Sequence, residues 1–272
     1  MDAALQTVWH QAYERALETV TSLRNHCDFK YDKDTKYARE VKILNAVRPT
    51  VKKYTPGTAI DKEYISATDM TLKLDQFYYF NIALDDIHKA QSVPGAMEAT
   101  AKEGTLALAE EGDKYVATIV KAGVTDGTIS FVDCGTPTKT NAIEKVEDGF
   151  AVLYGNNCKV SENYWLEVAP SFHKVLRPAI TEVLTQNVDM AKKGVVGRYG
   201  NALITIENLL AKDDTSVYNQ LRTEHAIAFS EQIEKVEAYR PQDAFEDALK
   251  GLYVFGALVT RPKEIVVLKT NL

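Results

Sequence analysis

Five histidines, three cysteines and a few clustered acids are the residues of this 272-residue chain best equipped for chemistry. The histidines are His10, His26, His88, His173 and His225. A zincin helix needs two histidines four residues apart, and a zinc ribbon needs cysteines in close pairs. None of the five meets either requirement. Cys27, Cys134 and Cys158 are odd in number, widely spaced and without a CxxC pair. Scattered free thiols in a reducing compartment are the expectation. The densest ligand-like cluster is Asp85-Asp86-Ile87-His88. Adjacent carboxylates on a strand point to opposite faces, which favours a solvated strand end over a metal site. Glu103 and Asp113, near Gly104, read as a solvated helix face rather than an acid pair. The run from Gly194 through Gly197 to Gly200 is GxxGxxG, not GxGxxG, and no Walker lysine motif exists. Ser161 and Ser171 lack a GxSxG elbow. Trp9 and Trp165 suit a core or interface better than a ligand stack. The chain is therefore expected to have no catalytic residue, no cofactor and no metal, and not to be an enzyme.

Composition narrows the field further. There are 38 acidic and 32 basic residues, for a net charge of −6. A tight nucleic-acid binder needs the opposite surplus. Hydrophobic residues make up 45% of the chain, an ordinary globular share. The longest apolar stretch, about residues 252–259, falls far short of the ~20 that span a bilayer. The start, Met1-Asp2-Ala3-Ala4, lacks the basic and apolar regions of a secretory signal.

These residues must sit on elements, and the periodicities place them. Leu5, Trp9, Tyr13 and Leu17 belong to a helical stripe ending near Leu23, with Asp2 as N-cap. Residues 28–63 hold nine Lys/Arg against six Asp/Glu, a local +3. Val41, Ile43 and Val47 predict one strand, Thr55-Pro56-Gly57-Thr58 a turn, and residues 68–84 the returning strand. Together they make a long two-stranded arm that buries little by itself and needs an external surface. Residues 95–122 form an Ala-rich helix stopped by Gly123. In it Gly104 and Gly112 mark a bend or a close approach. Asn141 with Glu144 predicts a capped helix. A strand follows at 164–168, then a helix opening at Pro170-Ser171 and interrupted at Pro178. Residues 202–206, 226–236, 252–259 and 265–268 are expected strands, with a short helical stretch at 243–249.

The order of these parts resembles the major capsid proteins of tailed bacteriophages, with their Hong Kong 97-type shell fold. Residues 67–86, with Leu72-Lys73-Leu74-Asp75-Gln76-Phe77 running to Asp85-Asp86 and on to Ala90-Gln91, resemble the returning strand of the family's extended loop. The Ala-rich helix is similar to its spine helix. Residues 156–170, the next helix and Gly194-Val195-Val196-Gly197 resemble the axial domain. Val236-Glu237-Ala238-Tyr239-Arg240, Phe245, residues 250–257 and Arg261-Pro262 resemble the C-terminal sheet. The chain departs by starting at the arm, without a long extension ahead of it, and by having no room for a large axial insertion.

The resemblance implies an α+β fold divided as residues 1–37 (N-terminal arm), 38–90 (extended loop), 91–135 (peripheral domain with spine helix), 136–215 (axial domain) and 216–272 (return to the peripheral domain). It implies a major capsid protein that self-assembles into hexamers and pentamers of an icosahedral phage head enclosing double-stranded DNA. The alternative is the shell of an encapsulin-like nanocompartment enclosing cargo protein; a cytosolic α+β enzyme ranks below both. Assembly contacts are expected at Lys52, Lys53, Tyr54, Thr55, Pro56, Gly57, Asp61 and Lys62 of the loop, and along Leu5, Trp9, Tyr13 and Leu17 of the arm. Implied partners are other copies of the chain, scaffolding and portal proteins, and DNA contacted weakly and non-specifically; no membrane is expected. The implied location is the virion capsid, assembled in the host cytoplasm.

Overall fold

The computed structural model describes residues 23–35, 38–45, 50–56, 62, 64, 68–85, 96–177, 195–243 and 245–271. The stripe of Leu5, Trp9, Tyr13 and Leu17 lies outside the described residues, as do Gly57 and Asp61. In chain order the elements are β1 (Glu40–Asn45), β2 (Thr68–Lys73), β3 (Gln76–Asp85), α1 (Ala96–Thr125), β4 (Ser130–Gly135), α2 (Ala142–Gly155), β5 (Tyr164–Val168), α3 (Pro170–Leu176), β6 (Val195–Tyr199), β7 (Ala202–Ile206), β8 (Ser216–Thr223), β9 (Ile227–Tyr239), β10 (Glu246–Val259) and β11 (Ile265–Asn271). The mixed α+β class is as the sequence predicts.

A six-stranded sheet runs in the order β4-β11-β8-β5-β7-β6. Ile265, Val266, Val267 and Leu268 of β11 are all fully buried. Side chains alternate across a strand. Ile265 and Val267 therefore join one core with α1, while Val266 and Leu268 join a second with α2 and α3. A strand covered on both faces reads as an unbroken apolar run, which is what makes β11 legible. Val146, Phe150 and Leu153 of α2 fill the second core, and a Cβ on Gly149 would come within 3.0 Å of Leu268. Asn141 does precede α2, but its Oδ1 accepts from the Thr138 N–H at 2.6 Å rather than from the helix.

A second, three-stranded antiparallel sheet has the order β3-β10-β9. Leu108, Ala109, Val116 and Val120 of α1 belong to the core shared with Phe229, Tyr253 and Phe255. Gly104 marks a close approach: a Cβ there would stand 3.2 Å from the Phe80 ring. Gly123 is not the helix stop. The helix runs to Thr125, and Gly127 (φ 73°) turns the chain. Its N–H reaches the Val124 carbonyl while the Thr128 N–H reaches that of Gly123, a Schellman closure.

Two expectations fail for physical reasons, and one strand escapes prediction. The run at 68–84 is two strands: β2 pairs with β1, and β3 leaves after Leu74-Asp75 to join β10. The stretch at 243–249 is not helical, because residues from Glu246 onward pair with β3. β8 lies near the middle of the large sheet yet escapes the periodicity, since Asn219, Gln220 and Arg222 are polar and buried. The hairpin base also has a core of its own, Ile43 and Leu72 against Ala228. There β10 passes directly beneath it. A Cβ on Gly256 would lie 2.0 Å from the Lys73 carbonyl oxygen. Gly256→Ala is expected to cost about 1–3 kcal/mol by forced displacement, read as a lower urea midpoint. An unchanged midpoint would mean that the hairpin base does not seat on β10.

Candidate assembly surface

The extended hairpin and the terminal segment can act on other molecules only if the body holds their roots. Residues 23–35 form the first root, threaded along β9. The Asp28 N–H donates to the Ile227 carbonyl at 2.9 Å, and the Phe229 N–H returns to the Asp28 carbonyl at 3.0 Å. Asp32 then accepts from the Ser230 hydroxyl at 2.7 Å and the Glu231 N–H at 3.0 Å.

Two buried arginines fasten this root. Arg222 of β8 donates through Nε and Nη2 to both oxygens of Glu167 at 3.0 and 2.7 Å. Its remaining reach goes to the carbonyls of His26 at 2.7 Å and Leu23 at 2.9 Å. The His26 ring stacks on Trp165 at 3.6 Å and meets Glu167 through Nδ1 at 2.9 Å. Arg24 points the other way. It donates to Glu231 and to the Tyr253 hydroxyl, while its N–H donates to Asp113 on α1 at 2.9 Å. Asp113 is thus buried, against the expectation of a solvated face; Glu103 is exposed. Burial alone would raise the Glu167 carboxyl, but Arg222 and His26 override it and hold it below the usual range. Burial lifts the Cys27 thiol to about 11, only partly offset by Arg222.

The second root is the hairpin base on β10. Beyond it, Lys52, Lys53, Tyr54, Thr55, Pro56 and Lys62 are all exposed. Val51, Tyr54 and Tyr64 put 92%, 60% and 89% of their surface in solvent. The loop residues named from sequence are exposed wherever they are described. The remaining chemical candidates do not converge. Ser161 and Ser171 are exposed, His173 is half-buried on α3, and His225 lies 3.2 Å from Asp28. Burial, with Arg177 nearby, lowers the His173 pKa. Asp85 ends β3, while Asp86 and His88 lie outside the described residues. Among the described residues no group of three His, Cys, Asp or Glu could hold a metal ion. Sequence reasoning missed His26, Glu167 and Arg222. The available signal was one acid inside the apolar Tyr164–Val168 strand.

Glu167→Gln strips the buried Arg222 of its counter-charge and is expected to cost about 3–5 kcal/mol. The pH dependence follows the same pair. Glu167 is depressed in the folded state, so its stabilisation is present above the ordinary value of 4.5 and fades as pH falls through its lower folded value. Urea unfolding between pH 7 and pH 3 should show this acid-side loss in the parent and a flatter curve in Glu167→Gln. Equal slopes would show that the ion pair does not carry it.

No protein-family model matches this chain, and no curated protein matches it. Solved structures do. A chain from Mycobacterium phage Che8 matches with TM-score 0.75 and 27% identity, covering 91% of this chain and 90% of that one. The capsid structure of cyanophage P-SCSP1u matches with TM-score 0.66 and 15% identity over 86% of this chain and 84% of that one. A virus-like particle from Pyrococcus furiosus gives TM-score 0.60 and 11% identity, with 98% of each chain covered. By this similarity the chain has the Hong Kong 97-like shell fold of phage capsid structures.

Proposed function

We propose that this major capsid protein closes into hexamers and pentamers of an icosahedral phage head around double-stranded DNA. One observation carries the reading beyond the fold. The loop tip presents Val51, Tyr54 and Tyr64 beside Lys52, Lys53 and Lys62, all exposed, on a hairpin rooted in a rigid body. Apolar side chains held out in this way gain by burial on a neighbour, at roughly 25 cal/mol per Å². The tip residues, with Gly57 and Asp61, are assembly contacts in this reading, and the stripe of Leu5, Trp9, Tyr13 and Leu17 is a second one. The division at residues 37, 90, 135 and 215 belongs to it as well. Its role is structural, without turnover. Scaffolding and portal proteins are partners during assembly in the host cytoplasm. The net charge of −6 suits a container whose DNA is held weakly and without sequence preference. The nanocompartment reading has less support, because the archaeal particle aligns with a lower TM-score than the phage chains above.

Three measurements test the proposal. Negative-stain images of the chain co-expressed with a phage scaffold should show closed particles; a persistent monomer by light scattering would overturn it. Lys52→Glu with Lys53→Glu should leave subunit stability within ~0.5 kcal/mol and abolish regular particles. The tip should be cut by protease in the free subunit and protected after assembly. Normal particle yield from this double variant would remove the tip from the interface.

A further inference from the structure

We infer that residues 23–27 are a releasable strap, and that Gln220 and Thr205 take over its contacts with Glu167 and Arg222 when it lifts from the large sheet. The device belongs to a single subunit and goes beyond the shell-building reading. Its mark is a rare kind of burial. Gln220 Oε1 and Nε2 and Thr205 Oγ1 have no hydrogen-bond partner, although both side chains are fully buried. Nearly all buried polar groups are satisfied, so each exception has a physical cause, and stored strain is one.

Both residues flank Glu167. Register sets Thr205 of β7 on one side of it and Gln220 of β8 on the other. Lateral partners share a face of the sheet, and Gln220 shares that face with Arg222, two residues along the same strand. In the closed state the strap gives the buried ion pair one donor, Nδ1 of His26 to Glu167. It also gives Arg222 three acceptors: the carbonyls of His26 and Leu23 and the sulfur of Cys27. Lifting the strap removes them together. The Gln220 amide carries the replacements, since Nε2 can donate to Glu167 and Oε1 can accept from Arg222, and the Thr205 hydroxyl is a second donor to Glu167. The ion pair left behind is therefore not stripped of partners.

The side of the strap toward the small sheet is matched in the same way. Arg24 leaves with the strap, and the Tyr253 hydroxyl already donates to Glu231 at 2.6 Å, so these two keep each other. The backbone pairing of Asp28 with Ile227 and Phe229 holds the next residues on β9 and sets the hinge. Opening is opposed by the core that Leu23 and Cys27 would leave and by the stacking of His26 on Trp165. The closed form therefore dominates. It nevertheless holds three unsatisfied atoms that the open form satisfies, which raises the open population above that of an apolar seat. Such an opening lies below global unfolding in free energy, and the chain ahead of Leu23 moves with it.

Cys27 is a native probe of the strap, because opening exposes it while Cys134 stays buried in the second core. Maleimide labelling of the full chain, read peptide by peptide in a mass spectrometer, should modify Cys27 before Cys134, at a rate that low urea barely changes. Gln220→Met with Thr205→Val removes the unsatisfied atoms and the substitute partners at once. It should slow Cys27 labelling in the absence of urea about tenfold or more. The single variants, each slowing it less, carry the test if the double variant does not fold. Equal rates and equal urea dependence for Cys27 and Cys134 in the parent would overturn the strap, since it would then open only when the whole chain unfolds. Unchanged Cys27 labelling in the variants would overturn the exchange, with Gln220 and Thr205 then only buried polar groups of the sheet. Either failure leaves the shell reading standing, because particle images test that separately.

Discussion

The guanidinium of Arg222 is the constraint on which the rest of the structure depends. It is fully buried, always charged and carries five N–H donors, so each needs an acceptor in the absence of water. Glu167 supplies two oxygens, and the carbonyls of Leu23 and His26 supply the rest, with the Cys27 sulfur at 3.6 Å. The segment entering from the N-terminal side must therefore pass through this one place. Once Leu23 and His26 are there, Arg24 falls between α1, β9 and β10, and Asp28 continues as a partner of β9. The network adds little net stability over an apolar equivalent, but breaking it is costly. Its effect is to fix one path for the chain between the two sheets.

That path matters because everything extended in this protein hangs from it. Residues 23–35 lead from the anchor to β1, and β2 returns across β10 at Gly256. The hairpin base is pinned by Ile43 and Leu72 on one side and by the carbonyl of Lys73 above a bare glycine on the other. Burying a Leu or Ile contributes about 1.5–3 kcal/mol, enough to seat the base but not to bury the tip. A stable body with an exposed, apolar, basic extension is what a self-assembling subunit needs.

The same reasoning explains the two faces of the small sheet. Its inner face is closed by α1 through Phe80, Tyr253 and Phe255. Among the described residues its outer face is closed where the hairpin base lies, and Phe77 and Tyr79 beyond it are exposed. Arg39 stacks over Phe77 at 5.4 Å, marking the boundary between the covered and uncovered halves. The boundary is set by the length of β1 and β2, six residues each.

The sequence by itself determined the elements whose burial is complete and apolar. β5, β7, β11 and the Ala-rich helix are readable because a run such as Ile265-Val-Val-Leu268 has no other stable home, and the alternation of β3 shows which of its faces is wet. The order of these parts also carried the family resemblance. Tertiary structure alone decided the rest. β8 shows no apolar periodicity because Asn219, Gln220 and Arg222 are polar, and the burial of Asn219 and Arg222 depends on partners 49 to 199 residues away. The run through Leu74-Asp75 looked like one strand because local propensity does not record which neighbour each half will pair with. Asp113 looked solvated until Arg24 reached it from 89 residues upstream. Periodicity reports how much of an element is covered; only the folded chain says by what.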